Sequence, residues 1–247
     1  MDQTRFYTEA YSTANAGEAQ AYGEWRTLGA RAKGDHVVAL CRRAGLRPQR
    51  LVEIGCGAGS LLAELAARGV APRLDGYDLS APAVEIARSH DIPGVRAEVF
   101  DGARVPAEDG AYDLAVLSHV LEHVPDPPAL LAETARVAPW VLVEVPLERN
   151  RSAARPAKRA EAARIGHIQF FDRAAVRALC AGAGLEIRAD LSDPLGHEHH
   201  AFGAAGARSR AKAAVKAAVR RAAWRVAPRA AERWFTVHYA CIATSAD

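Results

Sequence analysis

Short apolar runs alternate with segments of helical periodicity along most of the chain. The apolar runs are typical of β-strands and lie at residues 50–54, 73–80, 95–100, 112–118, 140–146, 185–191 and 235–244. Between them, apolar residues at helical spacing predict α-helices at residues 60–69, 81–90, 127–138 and 172–184. This alternation favours an α/β fold in which helices cover both faces of a parallel sheet.

Two helical segments fall outside this alternation and extend the predicted domain. Residues 1–48 are polar and helical, so we expect an N-terminal cap followed by a single domain at 49–247. A second helical segment, at about 204–233, forms an insertion before the last strand. The cap carries four aromatic residues that either pack on the core or close over a bound ligand: Tyr7, Tyr11, Tyr22 and Trp25.

The composition excludes several classes of protein. Half of the residues are apolar and a quarter are charged, which is typical of a globular domain and excludes wholesale disorder. No apolar stretch reaches the roughly 18 residues that a membrane span requires, and the N-terminus lacks the apolar core of a signal peptide. The cysteines are scattered without a C-x-x-C pair, which predicts reduced thiols in a cytoplasmic protein: they are Cys41, Cys56, Cys180 and Cys241.

The positive charge of the chain is concentrated in the insertion. Its basic residues are Arg208, Arg210, Lys212, Lys216, Arg220, Arg221, Arg225, Arg229 and Arg233. An i, i+4 stripe from Arg208 to Arg220 lies opposite an apolar stripe of Val215, Val219, Ala222 and Val226, which predicts an amphipathic helix. We expect its apolar side to cover the sheet edge or the substrate mouth while its charges face water. An anionic partner is the alternative: a phosphorylated substrate, an RNA or an acidic lipid.

A cluster of glycines directly follows the first strand. In LVEIGCGAGSLL, residues 51–62, Gly55, Gly57 and Gly59 fall within five positions. Each glycine costs roughly 0.5–1 kcal/mol relative to alanine inside regular structure, so the cluster needs a reason. A glycine-rich turn between the first strand and the first helix of such a sheet is where a nucleotide-like ligand binds. Glu53 stands two residues before the first glycine, and its carboxylate suits a positively charged ligand better than a pyrophosphate.

Two further acids follow the next two strands. Asp78 lies 25 residues after Glu53 and is placed to accept hydrogen bonds from both ribose hydroxyls. Asp101 follows the third strand and is placed to accept from an exocyclic amine such as that of adenine. Three acids and a glycine loop favour an adenosine that carries a sulfonium.

Four segments resemble the class I S-adenosylmethionine-dependent methyltransferases. They are VEIGCGAGS, GYDLS, FDGARVPAEDGAYDLAVLSHVLEHVPDP and HIQFFDRAAVRALCAGAGLEI, in the family's order across about 50–191. The resemblance implies a Rossmann-like, seven-stranded, mostly parallel sheet and S-adenosylmethionine as cofactor. It implies that Gly55 and Gly57 pass under the methionine part, that Asp78 binds the ribose and that Ser118 lies near the sulfonium. The adenine would be flanked or read at its edge by Leu79, Asp101, Gly102 and Ala103.

Histidines after the fourth and fifth strands are the candidates for acceptor chemistry. A hydroxyl acceptor must lose a proton, and a histidine is a suitable base, so we predict catalytic roles for His119 and His167. SHVLEH is similar to the E-x-x-E-H motif of ubiquinone-biosynthesis and small-RNA 2′-O-methyltransferases, in which it binds a divalent metal. Here His119 replaces the first Glu, so a metal is not favoured. The alternatives for the cluster are a structural turn, a metal-free base, or a metal site with the ligands His119, Glu122, His123 and His167.

Three other features complete the prediction. Glu144 and Glu148 flank the same mouth of the sheet and could orient a polar substrate. HEHH, at 197–200, looks like a metal cluster, but adjacent histidines do not converge on one ion, and we expect a solvated turn far from the cofactor. The predicted activity is methyl transfer to oxygen of a small-molecule acceptor, and an acidic or phosphorylated compound is one candidate. The alternatives are an RNA methyltransferase and a non-catalytic cofactor-binding module that docks on an anionic partner or membrane surface.

Overall fold

A seven-stranded sheet organises the chain in the computed structural model, which describes residues 16–194 and 196–245. The strands are β1 (Arg50–Ile54), β2 (Arg73–Asp78), β3 (Val95–Val99), β4 (Leu114–Ser118), β5 (Trp140–Pro146), β6 (Leu185–Asp193) and β7 (His238–Ser245). The helices are α1 (Ala16–Ala44), α2 (Ser60–Ala67), α3 (Ala81–Ser89), α4 (Pro127–Val137), α5 (Pro156–Arg164), α6 (Arg173–Gly182), α7 (His197–Ala201), α8 (Gly206–Val226) and α9 (Pro228–Trp234).

The order of the strands creates a crevice at one edge of the sheet. The order is β3-β2-β1-β4-β5-β7-β6, and only β7 runs antiparallel to its neighbours. The predicted Rossmann-like, mostly parallel sheet is therefore confirmed. The chain leaves β1 toward β2 on one side and returns to β4 on the other, so the loops after β1 and β4 diverge. Ligands of open α/β sheets bind outside the carboxyl ends of the strands at such a point.

Both faces of the central strands are buried, which explains their continuous apolar sequence. In β4, Leu114 and Val116 pack into the core layer on one face, while Ala115 and Leu117 pack into the layer on the other. All five residues of β4 are buried. β4 is thus covered on both of its faces.

The second half of α1 belongs to the core. Val37, Leu40 and Cys41 are buried in the layer that also contains Leu61 and Leu65 of α2. Earlier in α1, Trp25 is 39% exposed. Tyr7 and Tyr11, together with the side chain of Tyr22, lie outside the described residues, and the predicted division at residue 48 stays a prediction.

Two helices differ from the sequence prediction. The apolar pattern does not predict α5, because its apolar residues are small alanines apart from Pro156. The expected solvated turn at 197–200 is wrong, because these residues begin the one-turn helix α7. The ring of His199 packs edge-on against Trp25 of α1, with ring centroids 5.7 Å apart. That contact brings this segment to the cavity described below, so the expected distance from the cofactor site is also wrong.

The predicted orientation of the basic helix is wrong as well. In α8 the buried residues are Ala213, Ala217 and Arg220, whereas Val215 and Val219 are more than half exposed. The inward face is thus a stripe of alanines ending in an arginine. Alanines allow the helix backbone to approach its neighbours α7 and α9 closely. The long Arg220 side chain reaches a backbone carbonyl and donates a hydrogen bond to it, which a valine side chain cannot do.

The described residues contain four buried free thiols and no helix that is both long and apolar enough to cross a membrane.

Candidate functional site

One cavity of about 480 Å³ lies at the carboxyl ends of β1, β2 and β4. Its glycine end is formed by Gly55, Gly57, Asp78, Leu79 and Gly102. Its histidine end is formed by His119, His123, His167, His199 and His238. Glu53, Ser118 and Glu148 also line it, whereas Asp101 and Ala103 do not. The cavity therefore brings together most of the residues that the sequence predicts for cofactor and acceptor.

The glycine loop takes a conformation that disfavours side chains. Gly55, Gly57 and Gly59 have φ values of 79°, 53° and 75°, in the left-handed region. A Cβ on Gly55 would lie 2.5 Å from Cγ2 of Val120, and one on Gly59 would lie 2.9 Å from Cβ of Ala87. Both glycines are therefore required by close packing, while the backbone of Gly57 faces the cavity.

Asp78 ties the glycine loop to the end of β2. Its Oδ2 accepts a hydrogen bond from the N–H of Gly57 at 2.7 Å, and its Oδ1 accepts from the N–H of Ser80 at 2.9 Å. Burial raises the pKa of Asp78, and these backbone donors oppose that rise. The carboxylate is thus oriented at the cavity wall before any ligand binds.

Glu53 is a buried acid without a hydrogen-bonding partner for one of its oxygens. The residue is 4% exposed, and its Oε2 accepts no hydrogen bond from the described residues. Burial raises the pKa of Glu53 to about 8, although the charge of Lys33 opposes this. A cationic ligand in the cavity would favour the ionised form and so offset the cost of burying the carboxylate.

The loop after β3 also contributes to the glycine end, and hydrogen bonds within the loop fix its conformation. Asp101 Oδ1 accepts from the N–H groups of Ala103 and Arg104, both at 2.8 Å, and these bonds lower the pKa of the exposed Asp101. A Cβ on Gly102 would lie 2.7 Å from Cδ2 of Leu79, so only glycine lets that leucine pack against this loop. The predicted contact of Asp101 with adenine stays a prediction.

At the histidine end, Glu144 is surrounded by imidazoles. Its Oε1 lies 3.0 Å from His36 Nδ1 and 3.6 Å from His238 Nδ1, and its Oε2 accepts a hydrogen bond from Ser118 Oγ at 3.1 Å. Burial favours the neutral acid, but hydrogen bonds from His119, His238 and His36 hold the pKa of Glu144 well below its usual range. The buried carboxylate therefore carries its charge and is contacted by histidines from three separate elements.

His36 is the partner that the sequence analysis missed. It lies on α1, and its Nε2 is 3.3 Å from Asp193 Oδ2 at the end of β6. Burial disfavours the imidazolium, but hydrogen bonds with Asp193 and Glu144 raise the pKa of His36 to about 9. By contrast, burial and the charge of His119 lower the pKa of His238 to about 4.

Helix α1 also supplies one wall of the cavity, which the sequence analysis did not predict. This wall consists of Trp25, Arg26, Gly29, Ala30 and Lys33. These positions recur at helical spacing, so they occupy one side of α1. That spacing is the signal by which the sequence could have indicated them.

A second group lies around the loop before α6. His167 Nδ1 is 2.7 Å from Glu148 Oε2, and the ring of His167 packs edge-on against that of His123 with centroids 4.8 Å apart. His123 Nδ1 bonds the carbonyl of Gly166 at 3.1 Å, and the carbonyl of Glu122 accepts the N–H groups of residues 168 and 169. These bonds hold the loop after β4 against the loop before α6.

SHVLEH does not form a helix. His119 has a φ of 58°, and residues 121–123 form a turn. Glu122 instead sits buried between the two groups, with its Oε1 3.0 Å from His119 Nδ1. Burial opposes its charge, but His119, His123 and His167 lower the pKa of Glu122 to about 2. The turn thereby joins the two groups through one carboxylate.

Within the described residues, two sets of side chains have ligand atoms within 4.8 Å of one another, as a metal ion would require. One set is His119, Glu144 and His238, and the other is Glu122, His123 and His167. The four residues of the unfavoured metal alternative are therefore divided, because His119 belongs to the first set and the other three residues to the second.

Comparison with known proteins agrees with this geometry. A family model described as a methyltransferase domain matches residues 22–190. The ubiquinone biosynthesis O-methyltransferase of Thiobacillus denitrificans is 37% identical over 117 residues, which cover 44% of this chain and 48% of that protein. An uncharacterised 37.1 kDa protein in a transposon of Streptomyces fradiae is 42% identical over 103 residues, covering 40% of this chain and 29% of that protein. The matches thus span less than half the length of both curated relatives.

Among solved structures, geranyl diphosphate C-methyltransferase from Streptomyces coelicolor A3(2), in complex with Mg²⁺, geranyl diphosphate and S-adenosyl-L-homocysteine, superposes with a TM-score of 0.59. It is 18% identical, and the match covers 80% of this chain and 71% of that one. At this identity the likeness shows the fold alone. Since the family model covers most of the chain and the sheet is seven-stranded and mostly parallel as predicted, the chain belongs to the family of class I, S-adenosylmethionine-dependent methyltransferase domains.

Proposed function

We propose that the chain binds S-adenosylmethionine at the glycine end of the cavity and transfers its methyl group to a hydroxyl oxygen of a small molecule at the histidine end. The O-methyltransferase names of the curated relatives support oxygen as the target. Fold alone does not select the target atom. The pair of His167 and Glu148 is the observation that carries the proposal.

The glycine end has the features that a sulfonium cofactor needs. The oriented carboxylate of Asp78 suits the two ribose hydroxyls, and the backbone of Gly57 leaves room for the methionine part. The buried Glu53 would gain from a nearby positive charge, which the donor carries and a pyrophosphate lacks. The donor brings its own activation, so the protein mainly aligns the acceptor, which can lower the barrier by about 7–11 kcal/mol.

His167 is placed to act as the base. Its Nδ1 is bound to Glu148, which leaves Nε2 for the proton of an acceptor hydroxyl. As Nε2 takes that proton, the oxygen attacks the methyl carbon, the carbon–sulfur bond breaks and its electron pair stays on sulfur. Glu148 would stabilise the imidazolium that forms.

His119 is better suited to positioning than to proton transfer. Its Nδ1 lies 3.0 Å from Glu122 Oε1, and its Nε2 lies 3.2 Å from His238 Nδ1. With both ring nitrogens engaged, His119 would hold Glu122 and Glu144 in place beneath the acceptor. The predicted catalytic role is therefore proposed for His167 alone.

The alternative to a metal-free base is a divalent cation, which His167 would hold together with Glu122 and His123 instead of acting as the base. Glu122 is buried, its Oε2 accepts no hydrogen bond from the described residues, and its carboxylate lies within reach of His123 and His167. Two imidazoles and one carboxylate are a donor set that first-row divalent ions accept. Such a cation would act as a Lewis acid on an acceptor oxygen when bound.

Two assays test the proposal. Calorimetric titration with S-adenosylhomocysteine should show saturable binding, and a panel of phenols and catechols should yield S-adenosylhomocysteine from S-adenosylmethionine. Both assays are repeated after chelation and with added Mg²⁺ or Zn²⁺, which separates the metal-free base from the cation. Absence of cofactor binding would overturn the proposal, and methylation confined to nitrogen or carbon acceptors would overturn its choice of oxygen.

The RNA alternative has one observation in its favour, which is the exposed basic face of α8. Residues such as Lys212, Arg221 and Arg225 are exposed there. RNA binding would weaken steeply with salt as phosphate contacts release counterions. RNA binding that does not depend on salt, or the absence of RNA binding, would count against an RNA acceptor. Turnover with a small-molecule acceptor would contradict the alternative of a non-catalytic module.

A further inference from the structure

A second cavity, of about 380 Å³, lies outside the methyltransferase site. It is formed between α8, the loop before α5 and the end of α9, and its lining is Arg151, Ser152, Arg155, Lys216, Val219, Arg220, Trp234 and Phe235. Four of these eight residues are basic and none is acidic. The proposed methyl transfer uses none of them.

Arg220 is the buried cation of this cavity. The residue is 8% exposed, and its Nη2 donates to the carbonyl of Thr236. Its Nε is buried and has no hydrogen-bonding partner among the described residues. Burial alone lowers the pKa of Arg220, and no carboxylate opposes this. A guanidinium removed from water with one unused donor is costly unless an anion meets it.

Three other cations line the same cavity: Arg151, Arg155 and Lys216. Lys216 lies one turn before Arg220 on α8, and burial together with the charges of Arg220 and Lys158 lowers the pKa of Lys216. Glu161 partly offsets that repulsion, but its carboxylate is paired with Lys158 outside the cavity lining. Bringing like charges together costs free energy that a bound anion would recover.

Aromatic rings form the apolar part of the lining. The guanidinium of Arg151 lies 4.4 Å from the ring centroid of Trp234, and that of Arg220 lies 5.1 Å from the ring centroid of Phe235. Trp234 is 51% exposed, and Val219 beside it is also exposed. The cavity thus combines an anion-binding group with an apolar wall, so it suits an anion that carries an apolar group.

We propose that this cavity is a binding site for a phosphate monoester or diphosphate that carries an apolar group, separate from the methyl-transfer site. Guanidinium groups recognise phosphate oxygens through paired, charge-assisted hydrogen bonds. The apolar group would rest on Trp234 and Phe235. The ligand could be a soluble phosphate ester or the headgroup of an anionic lipid, since both offer the same chemistry to these side chains.

The site is tested by titrating the full chain with phenyl phosphate, with pyrophosphate and with inorganic phosphate, and binding is measured by calorimetry and ³¹P NMR at constant ionic strength. We expect saturable binding of both compounds at one site, with phenyl phosphate preferred over inorganic phosphate. S-adenosylhomocysteine should bind at the same time, and this readout requires no methyltransferase activity. Failure of the proposed methyl transfer would therefore leave this result intact.

The variants Lys216→Gln and Arg155→Gln remove exposed cations of the cavity, and each should weaken phosphate binding by about tenfold. Arg221→Gln is the matched control, because it removes an exposed charge of the same helix outside the cavity. Arg220→Gln should abolish binding, but its burial means that unfolding could also explain a loss. Absence of saturable binding, or an equal loss in Arg221→Gln, would overturn the proposal.

Co-sedimentation with vesicles distinguishes the two sources of phosphate. Binding to phosphatidylglycerol vesicles but not to phosphatidylcholine vesicles, weakened by Lys216→Gln and retained in Arg221→Gln, would assign the site to a lipid headgroup. Binding of soluble esters without vesicle binding would assign it to a soluble ligand. Vesicle binding that Lys216→Gln and Arg221→Gln weaken equally would reflect general charge attraction and contradict a defined lipid site.

Discussion

The two ends of the methyltransferase cavity are built in different ways. The glycine end is organised by backbone: the left-handed glycines after β1, the N–H of Gly57 on Asp78, and the turn around Asp101. The histidine end is organised by side chains from distant elements. His36 comes from α1, His119 from the loop after β4 and His238 from β7, and all three meet at Glu144.

This difference separates two kinds of requirement. A cofactor that is shared by a family can be bound by a local arrangement of backbone and one carboxylate. An acceptor that differs between members needs side chains that can be exchanged one at a time without disturbing the sheet. We therefore expect substitutions at the two ends to affect different measured quantities.

The largest effect is expected for His167→Gln. Loss of a general base lowers kcat by roughly 10²–10⁴-fold, while affinity for S-adenosylhomocysteine should stay unchanged. Rates with an identified acceptor and calorimetry measure the two quantities. The control is Glu186→Gln, which removes a carboxylate paired with Arg188 on β6. If His167→Gln lowered the affinity for S-adenosylhomocysteine by as large a factor as kcat, the two ends of the cavity would not act independently.

His36→Gln tests the ion cluster that His36 forms with Glu144 and Asp193, through the pH dependence of the free energy of unfolding. Because the folded pKa of His36 is about 9, against 6.5 when unfolded, its contribution to stability is fully present below pH 6.5 and is lost as pH rises through 9. The stability difference between wild type and variant should reach about 3 kcal/mol at pH 6 and shrink toward pH 9. Urea unfolding at three pH values measures it, and a difference that grows with pH would contradict the ion cluster.

Asp78→Ala tests the glycine end. Loss of the oriented carboxylate should weaken S-adenosylhomocysteine binding by about 1.5–3 kcal/mol, with little effect on the pH profile of the rate. Asp109→Ala is the control, because its carboxylate is exposed and contacts only Arg136 in the described structure. Unchanged affinity in Asp78→Ala would mean that the ribose is held elsewhere.

The smallest effect is expected for Gly55→Ala, which tests packing rather than charge. Its Cβ would lie 2.5 Å from Cγ2 of Val120, so we expect a loss of about 1–3 kcal/mol in the free energy of unfolding. Gly45→Ala is the matched control, because Gly45 also has a positive φ but no atom within 4 Å of the added carbon. Adding Val120→Ala should restore part of the lost stability, and equal losses in both glycine variants would exclude the clash as the cause.

The order of elements and the glycine end were predictable from the sequence because their signals are local. Apolar periodicity indicates each strand and helix by itself, and β5 lies at the expected 140–146. Gly55, Gly57 and Asp78 lie within one strand–loop–helix unit and at the end of the next strand. Their roles can therefore be inferred from the local sequence without knowing how the rest of the chain folds. The contact of Asp78 with Gly57 then follows from the pairing of β1 with β2.

The histidine end, the direction of α8 and the place of α7 were decided only by the tertiary structure. His36 acquires its role because α1 packs beside β6 and β7, which brings Glu144 and Asp193 to the same ring. In α8 the pattern of valines and arginines predicts the wrong inward face, because Arg220 finds a backbone carbonyl and a phenyl ring only in the folded chain. Periodicity measures the average preference of a helix face for water, and it does not report which specific partner a buried charge will meet. The sequence therefore determined the sheet and the glycine end of the cavity, and the packing of distant segments determined which side chains form the histidine end.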